Sequence, residues 1–334
     1  YTLTTASTSF YKTHGDDYDF LVLISPHVRS AYYTPVRRDT CPGLGHTFEN
    51  GNAPVRNGEV YGSAARLKGA IWLPLEMDDR YGPPSYIHEL MHHWGVSLKS
   101  TWDLFIKGLG GHWGFASTNG SLGGFDLQTL KTEAGVPITD PLSVPPGTTV
   151  RVSSFGYQTS TCSTGYSPIE LYLMGLVEKQ AAPQAIYVMK NPTFVKKEYA
   201  PRSNPPSPTY VPDTSIYTVD GFTKVTLDEL LALNPGGPPR ATQTSFRSAW
   251  ILVTETPASV AQILKADWYA RLAGRLVEDV PPSSQEQADA YVQKKIADFE
   301  WTEGMYAPLS SFPVRQKYLS FAEATGNLAT LDVQ

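Results

Sequence analysis

His88-Glu89-Leu90-Met91-His92 sets two imidazoles four positions apart, with a carboxylate directly after the first. On a helix, at about 100° per residue, His88 and His92 lie roughly 40° apart around the axis and one turn apart along it, so both can reach one ion. Neutral imidazoles are zinc ligands, and a catalytic zinc takes three protein ligands and keeps a position open for water, whose pKa falls to about 7. Glu89, beside the metal, would take that proton and pass it to a leaving amine, while the metal polarises the carbonyl under attack. The spacing therefore points to one catalytic Zn²⁺ held by His88 and His92, with Glu89 as general base.

The third ligand must come from elsewhere in the chain. His112 is the strongest choice: it is the only histidine after His93, and it follows the glycines of Gly108-Leu109-Gly110-Gly111, twenty residues beyond His92. Glu170 is the main rival, because an acid inside the apolar segment Ile169-Glu170-Leu171-Tyr172-Leu173-Met174 needs a partner, and a metal or a metal-ligating histidine would serve. Asp103, Asp126 and His93 stand behind these two. Tyr172 is the candidate for a second oxyanion donor. Met174 could pack beneath the metal, or simply belong to the core.

These residues need elements to hold them. Ile87, Leu90, Met91 and Trp94 follow i, i+3, i+4, i+7, the pattern of a helix with a buried back. Pro83-Pro84 suits the first turn of that helix and Gly95 its C-terminal cap. Before it, Phe20-Leu21-Val22-Leu23-Ile24-Ser25 is a continuous apolar run, the mark of a fully buried strand. A second strand is expected over Ala31–Val36, weakened by Pro35, and a third over Leu67–Leu75, either bordering a cleft at a sheet edge or lying inside the sheet. Further on, Ser167–Leu176 predicts a short buried helix, and strands are expected over Ala185–Met189, Phe222–Thr226 and Ser248–Thr254. Helices over Ala258–Val277 and Ser284–Phe299 follow.

Composition narrows the class. Hydrophobic residues make up 41% and charged ones 18%, with 19 Tyr, 27 Gly and 27 Pro, so a loop-rich globular protein of exported type is expected. A net charge of -5 without a basic run gives no footprint for nucleic acid. No stretch of some 20 apolar residues offers a membrane span. The start at Tyr1 is expected to follow removal of a leader. The two cysteines, Cys41 and Cys162, allow one disulfide, which an oxidising compartment would favour; two inert buried thiols, or a thiolate that reaches the zinc, are the alternatives.

Taken together, His88-Glu89-Leu90-Met91-His92 with Gly95, His112-Trp113 and Leu173-Met174-Gly175 resemble the zincin superfamily of metalloproteases, nearest to its metzincin branch. Leu98 stands where the strict metzincin pattern has its last ligand, so the third ligand would be displaced. The wider order of motifs, from Asp17-Tyr18-Asp19-Phe20 through Gly62-Ser63 to the segment around Glu170, also looks like a group of exported microbial proteins labelled as peptidases. The resemblance implies an α+β zincin-like fold: a mixed sheet and active-site helix above, a largely irregular and helical part below. On that reading residues 1–334 form one catalytic unit, with an upper subdomain over about 1–95 and a lower one over about 96–334 carrying a β-rich elaboration over about 181–255. It implies a secreted zinc endopeptidase acting on protein or peptide substrates. Two rivals stay open, a zinc amidase or deacylase acting on cell-wall peptides or glycans, and a non-catalytic zinc-containing binding module; no oligomeric state is indicated.

Overall fold

A computed structural model describes residues 2–36, 58–64, 66–75, 85–95, 112–153, 165–198, 214–233, 243–274 and 320–334. The protein is mixed α+β, with several sheets and few helices among the described residues. Its contacts divide it into two compact units: Tyr1–Arg38, Pro54–Leu90 and Gln243–Gln334 in the first, Asp39–Ala53 and Met91–Thr242 in the second. The dividing line falls inside the helix that carries His88 and His92.

The first unit is built on a five-stranded sheet. Strands β1 (Phe20–Ser25), β2 (Tyr32–Pro35) and β3 (Gly69–Pro74) come from the N-terminal part of the chain, and β10 (Ser245–Leu252) and β11 (Thr330–Val333) from its end, in the order β11-β10-β1-β3-β2. β10, β1 and β3 run parallel and β2 antiparallel to β3. Parallel strands buried on both faces should read as unbroken apolar runs, and every residue of β1 and of β3 is buried.

One face carries Leu21, Leu23, Ala70, Trp72 and Ala249, adjacent in register, and packs with Leu3 of helix α1 (Leu3–Tyr11), Tyr61 and Leu67. The other carries Phe20, Phe246 and Trp250; Phe246 meets Phe321, and the Tyr86 ring of helix α2 (Ser85–Gly95) lies 5.1 Å from Trp250.

Two expectations gain detail here. The strand over Leu67–Leu75 is an interior strand, paired with β1 on one side and β2 on the other, so among the described residues β2 is the sheet's edge on that side. Pro35 fits there, since an edge strand tolerates a missing N–H. The strand expected over Ser248–Thr254 as part of the β-rich elaboration is β10, and it pairs with β1 across more than 200 residues of chain. Hydrophobic pattern shows that a segment is a strand but not which partner it takes.

The second unit contains a four-stranded antiparallel sheet in the order β4-β5-β8-β7, made from Lys131–Thr132, Thr148–Ser153, Thr214–Val219 and Thr193–Glu198. A two-stranded ladder pairs β6 (Ala185–Met189) with β9 (Phe222–Thr226). Val150, Val152, Tyr217 and Val219 join Phe125, Leu130, Met189 and Phe222 in its core. Helix α3 (Pro168–Leu173) carries Glu170 and Tyr172; α4 (Leu227–Leu233) follows β9. α5 (Val260–Gly274) and α6 (Phe321–Ala324) belong to the first unit. Cys41, Cys162, Asp103, Leu98 and the helix expected over 284–299 lie outside the described residues.

Candidate metal centre

α2 is buried on more than its expected back. Ile87, Leu90, Met91 and Trp94 are buried, and so are Tyr86, Glu89, His92 and His93; His88 is half-buried. Such a helix is stabilised by packing all around it, and its polar side chains must find partners within the protein. Two of them, His88 and His92, meet a third group of the same chemistry, His112. One ring nitrogen from each of His88, His92 and His112 lies within 4.8 Å of the other two, and this group of three buried or half-buried imidazoles could hold a metal ion. The His92 and His112 rings meet edge to face, their centroids 4.7 Å apart. The donor set fits such an ion: imidazole nitrogens are neutral ligands, and three leave one tetrahedral position open.

Glu89 sits next to His88 in the chain and is 7% exposed. Burial pushes its carboxyl up to about 8, and the backbone N–H of Tyr33, on the edge strand β2, opposes that rise. The acid is thus held near neutrality, where it can change protonation at little cost.

His112 opens a tightly folded turn. Trp113, next to it, is wholly buried, and its backbone N–H donates to the Leu122 carbonyl at 2.9 Å. Gly120 and Gly123 exchange backbone bonds of 2.9 and 3.0 Å, and Phe125 N–H returns to the Ala116 carbonyl at 2.8 Å. Gly114, Asn119, Gly123 and Gly124 have positive φ, a conformation that excludes most side chains. Ala116 bridges to Val188 and Ser117 bonds to Tyr187, which fastens the turn to β6. The glycines around His112 thus make a compact wall.

Glu170, the rival ligand, has its carboxylate fully engaged. Trp113 Nε1 and the Leu122 N–H donate to Oε1 at 3.1 and 2.8 Å; the Ser121 and Ser167 N–H groups donate to Oε2 at 2.9 and 2.8 Å. Burial raises the Glu170 carboxyl above its ordinary range, and these four donors oppose that rise without cancelling it. Every partner is a pure donor, so the ionised form satisfies them all. The sequence signal for this arrangement was the acid among apolar residues; its partners, spread over more than fifty positions, left no local trace.

The remaining candidates lie as follows. Tyr172, on α3, has Lys179, Asp228 and Glu178 as its charged neighbours, and burial raises its hydroxyl, which keeps it a donor. Met174 is buried at the end of α3, its N–H on the Glu170 carbonyl. Asp126 caps the short turn Leu127–Thr129 by accepting from the Gln128 N–H. His93 is buried with its ring against Trp94. No helix among the described residues is long and apolar enough to cross a membrane. No family model matches this chain, and neither the curated proteins nor the solved structures hold a significant match to it.

Proposed function

We propose that the protein is a zinc-dependent endopeptidase of zincin type, with His88, His92 and His112 as the metal ligands and Glu89 as the general base. The observation that carries this reading is the convergence of the three imidazoles beside a buried glutamate held near neutral pH. A structural metal site has no use for such a proton carrier, which weighs against a binding module. Bound zinc would supply Lewis acidity and lower the pKa of water to about 7.

The chain's own residues supply the rest. Glu89 accepts a proton from the attacking water and donates it to the leaving amine, and burial keeps its affinity for that proton high enough for the return step. The Tyr33 N–H holds the carboxylate against β2. Among the described residues β2 is the antiparallel border of its sheet, so an extended peptide laid along it by strand addition would pass its backbone close to Glu89. That favours a peptide chain over a glycan as substrate. Tyr172, kept protonated, would serve as a donor to the developing oxyanion. A sparsely charged, loop-rich composition fits export to an extracellular setting.

The Glu89→Gln protein tests this. It should bind zinc as the parent does and lose casein or peptide-library cleavage by on the order of 10²–10⁴-fold. Parental turnover in the variant would reject the mechanism, and cleavage of peptidoglycan fragments with none of casein would move the protein to the amidases.

A further inference from the structure

Glu170 has no place in the reaction just described, yet its buried carboxylate accepts from four N–H donors, three of them in the turn that carries His112. We propose that it is a positioning residue for His112, and that it fixes the third ligand through Trp113 and the 121–122 peptide without touching the metal. The inference rests on the metal-centre reading above.

The argument starts from what the turn must do. A ligand on a loop has to be held in place before the ion arrives, or the ordering cost is subtracted from affinity. Trp113, Ala116, Leu122 and Phe125 bury their side chains in the turn, but Gly114, Gly120, Gly123 and Gly124 add none. It closes as well around a carboxylate. One Glu170 oxygen accepts from the Trp113 indole and from the Leu122 N–H, and the Trp113 backbone N–H bonds the Leu122 carbonyl. The residue following His112 is thereby tied to Leu122 both directly and through the acid. The other oxygen accepts from Ser121 in the turn and from Ser167 at the start of α3.

Four bonds from pure donors to one anion in a site without water-accessible surface are stronger than neutral ones, and they demand a charged acceptor. The approach is close as well: a Cβ at Gly120 would overlap the carboxylate, so the glycine there is required by space rather than by dihedral angle. A glutamate that only started α3 would need the Ser167 bond alone. Three of the four bonds go to the turn that holds His112.

The test compares variants of the full chain, each checked for parental far-UV circular dichroism. Zinc affinity is measured by competition with a chromophoric chelator, and the ligand field is read from the visible d–d bands of the Co²⁺-loaded protein. Glu170→Gln keeps the size but turns one acceptor into a donor facing donors. It should weaken zinc by about 10–100-fold and change the Co²⁺ band intensities. Trp113→Phe keeps a ring and deletes only the indole bond, so it should lose several-fold in affinity, and it carries the test if Glu170→Gln does not fold. Val150→Ala, a cavity in the core of the same unit, should lower stability and leave both metal readouts parental.

Folded Glu170→Gln or Trp113→Phe protein with parental zinc affinity and parental Co²⁺ bands would overturn the proposal, leaving Glu170 a purely structural anion. Failure of the parent itself to take up either ion would instead remove the metal centre, and the inference with it.

Discussion

Two buried glutamates on short helices, one in each unit, have opposite surroundings. Glu170 is wholly inaccessible and meets four N–H donors. Glu89 is almost as deeply buried, and among the described residues the donor set against its desolvation is the Tyr33 N–H, so its carboxyl rises to about 8. Burial alone therefore does not mark a reactive acid. What distinguishes the two is the balance between water removed and donors supplied. Burial raises both carboxyls; at Glu170 four donors oppose the rise, while at Glu89, opposed by the Tyr33 N–H, it reaches about 8.

The contrast predicts stability effects of opposite sign. Glu170→Ala leaves four buried N–H donors without an acceptor, and at 1–3 kcal/mol for each it should cost at least about 4 kcal/mol in urea unfolding. A loss below about 1 kcal/mol would mean that water replaces the carboxylate freely, and the comparison would fail.

Glu89→Gln should stabilise the protein when a chelator keeps it free of metal. The folded carboxyl titrates at about 8 and the unfolded one at its ordinary 4.5, so between those values the folded state holds the proton that the unfolded state has released. Stability must then fall as pH rises, by up to about 1.4 kcal/mol per pH unit across that window. Below the window the two forms are protonated alike and the penalty vanishes; above about 8 it is complete. Gln carries no such slope, so the Tm difference between variant and parent should open between pH 5 and 8 and then level off. Parallel Tm curves for the two proteins would show that Glu89 is not held up by burial.

Much of this contrast was legible in the sequence, and the missing part has a physical cause. The His88-to-His92 spacing, the apolar i, i+3, i+4, i+7 pattern and the runs of β1 and β3 are local signals, and local signals survive in sequence. β6 and β9 follow from the same kind of run. Helix α1 leaves little trace in the sequence, because Thr2-Leu3-Thr4-Thr5-Ala6-Ser7-Thr8-Ser9 has no strong helical period and only Leu3 and Ala6 as strong formers; Thr2 caps it, and Ser7 donates to the Tyr61 carbonyl at 2.7 Å. The pairing of β10 with β1 was equally silent, because residue pattern encodes burial and not partner choice. At the site, His112 could be chosen by elimination, whereas the ring of donors around Glu170 could not, since backbone N–H groups have no sequence signature.

The smallest of the expected effects is also the most specific. Gly120 has no positive φ to protect, and an added methyl there fails only because it would occupy the space of the Glu170 carboxylate. Gly120→Ala should therefore cost about 1–3 kcal/mol, the usual range for forcing a methyl into a packed interior. In a protein that already carries Glu170→Ala the obstructing group is gone and the methyl has room. The same substitution should then be close to neutral, so a double-mutant cycle should return a coupling nearly as large as the single-variant cost. Additive losses in urea unfolding would place the strain somewhere other than the carboxylate. Strong coupling would show that the acid and the glycine act as one device, which a merely buried and unengaged glutamate, free to swing aside, could not produce.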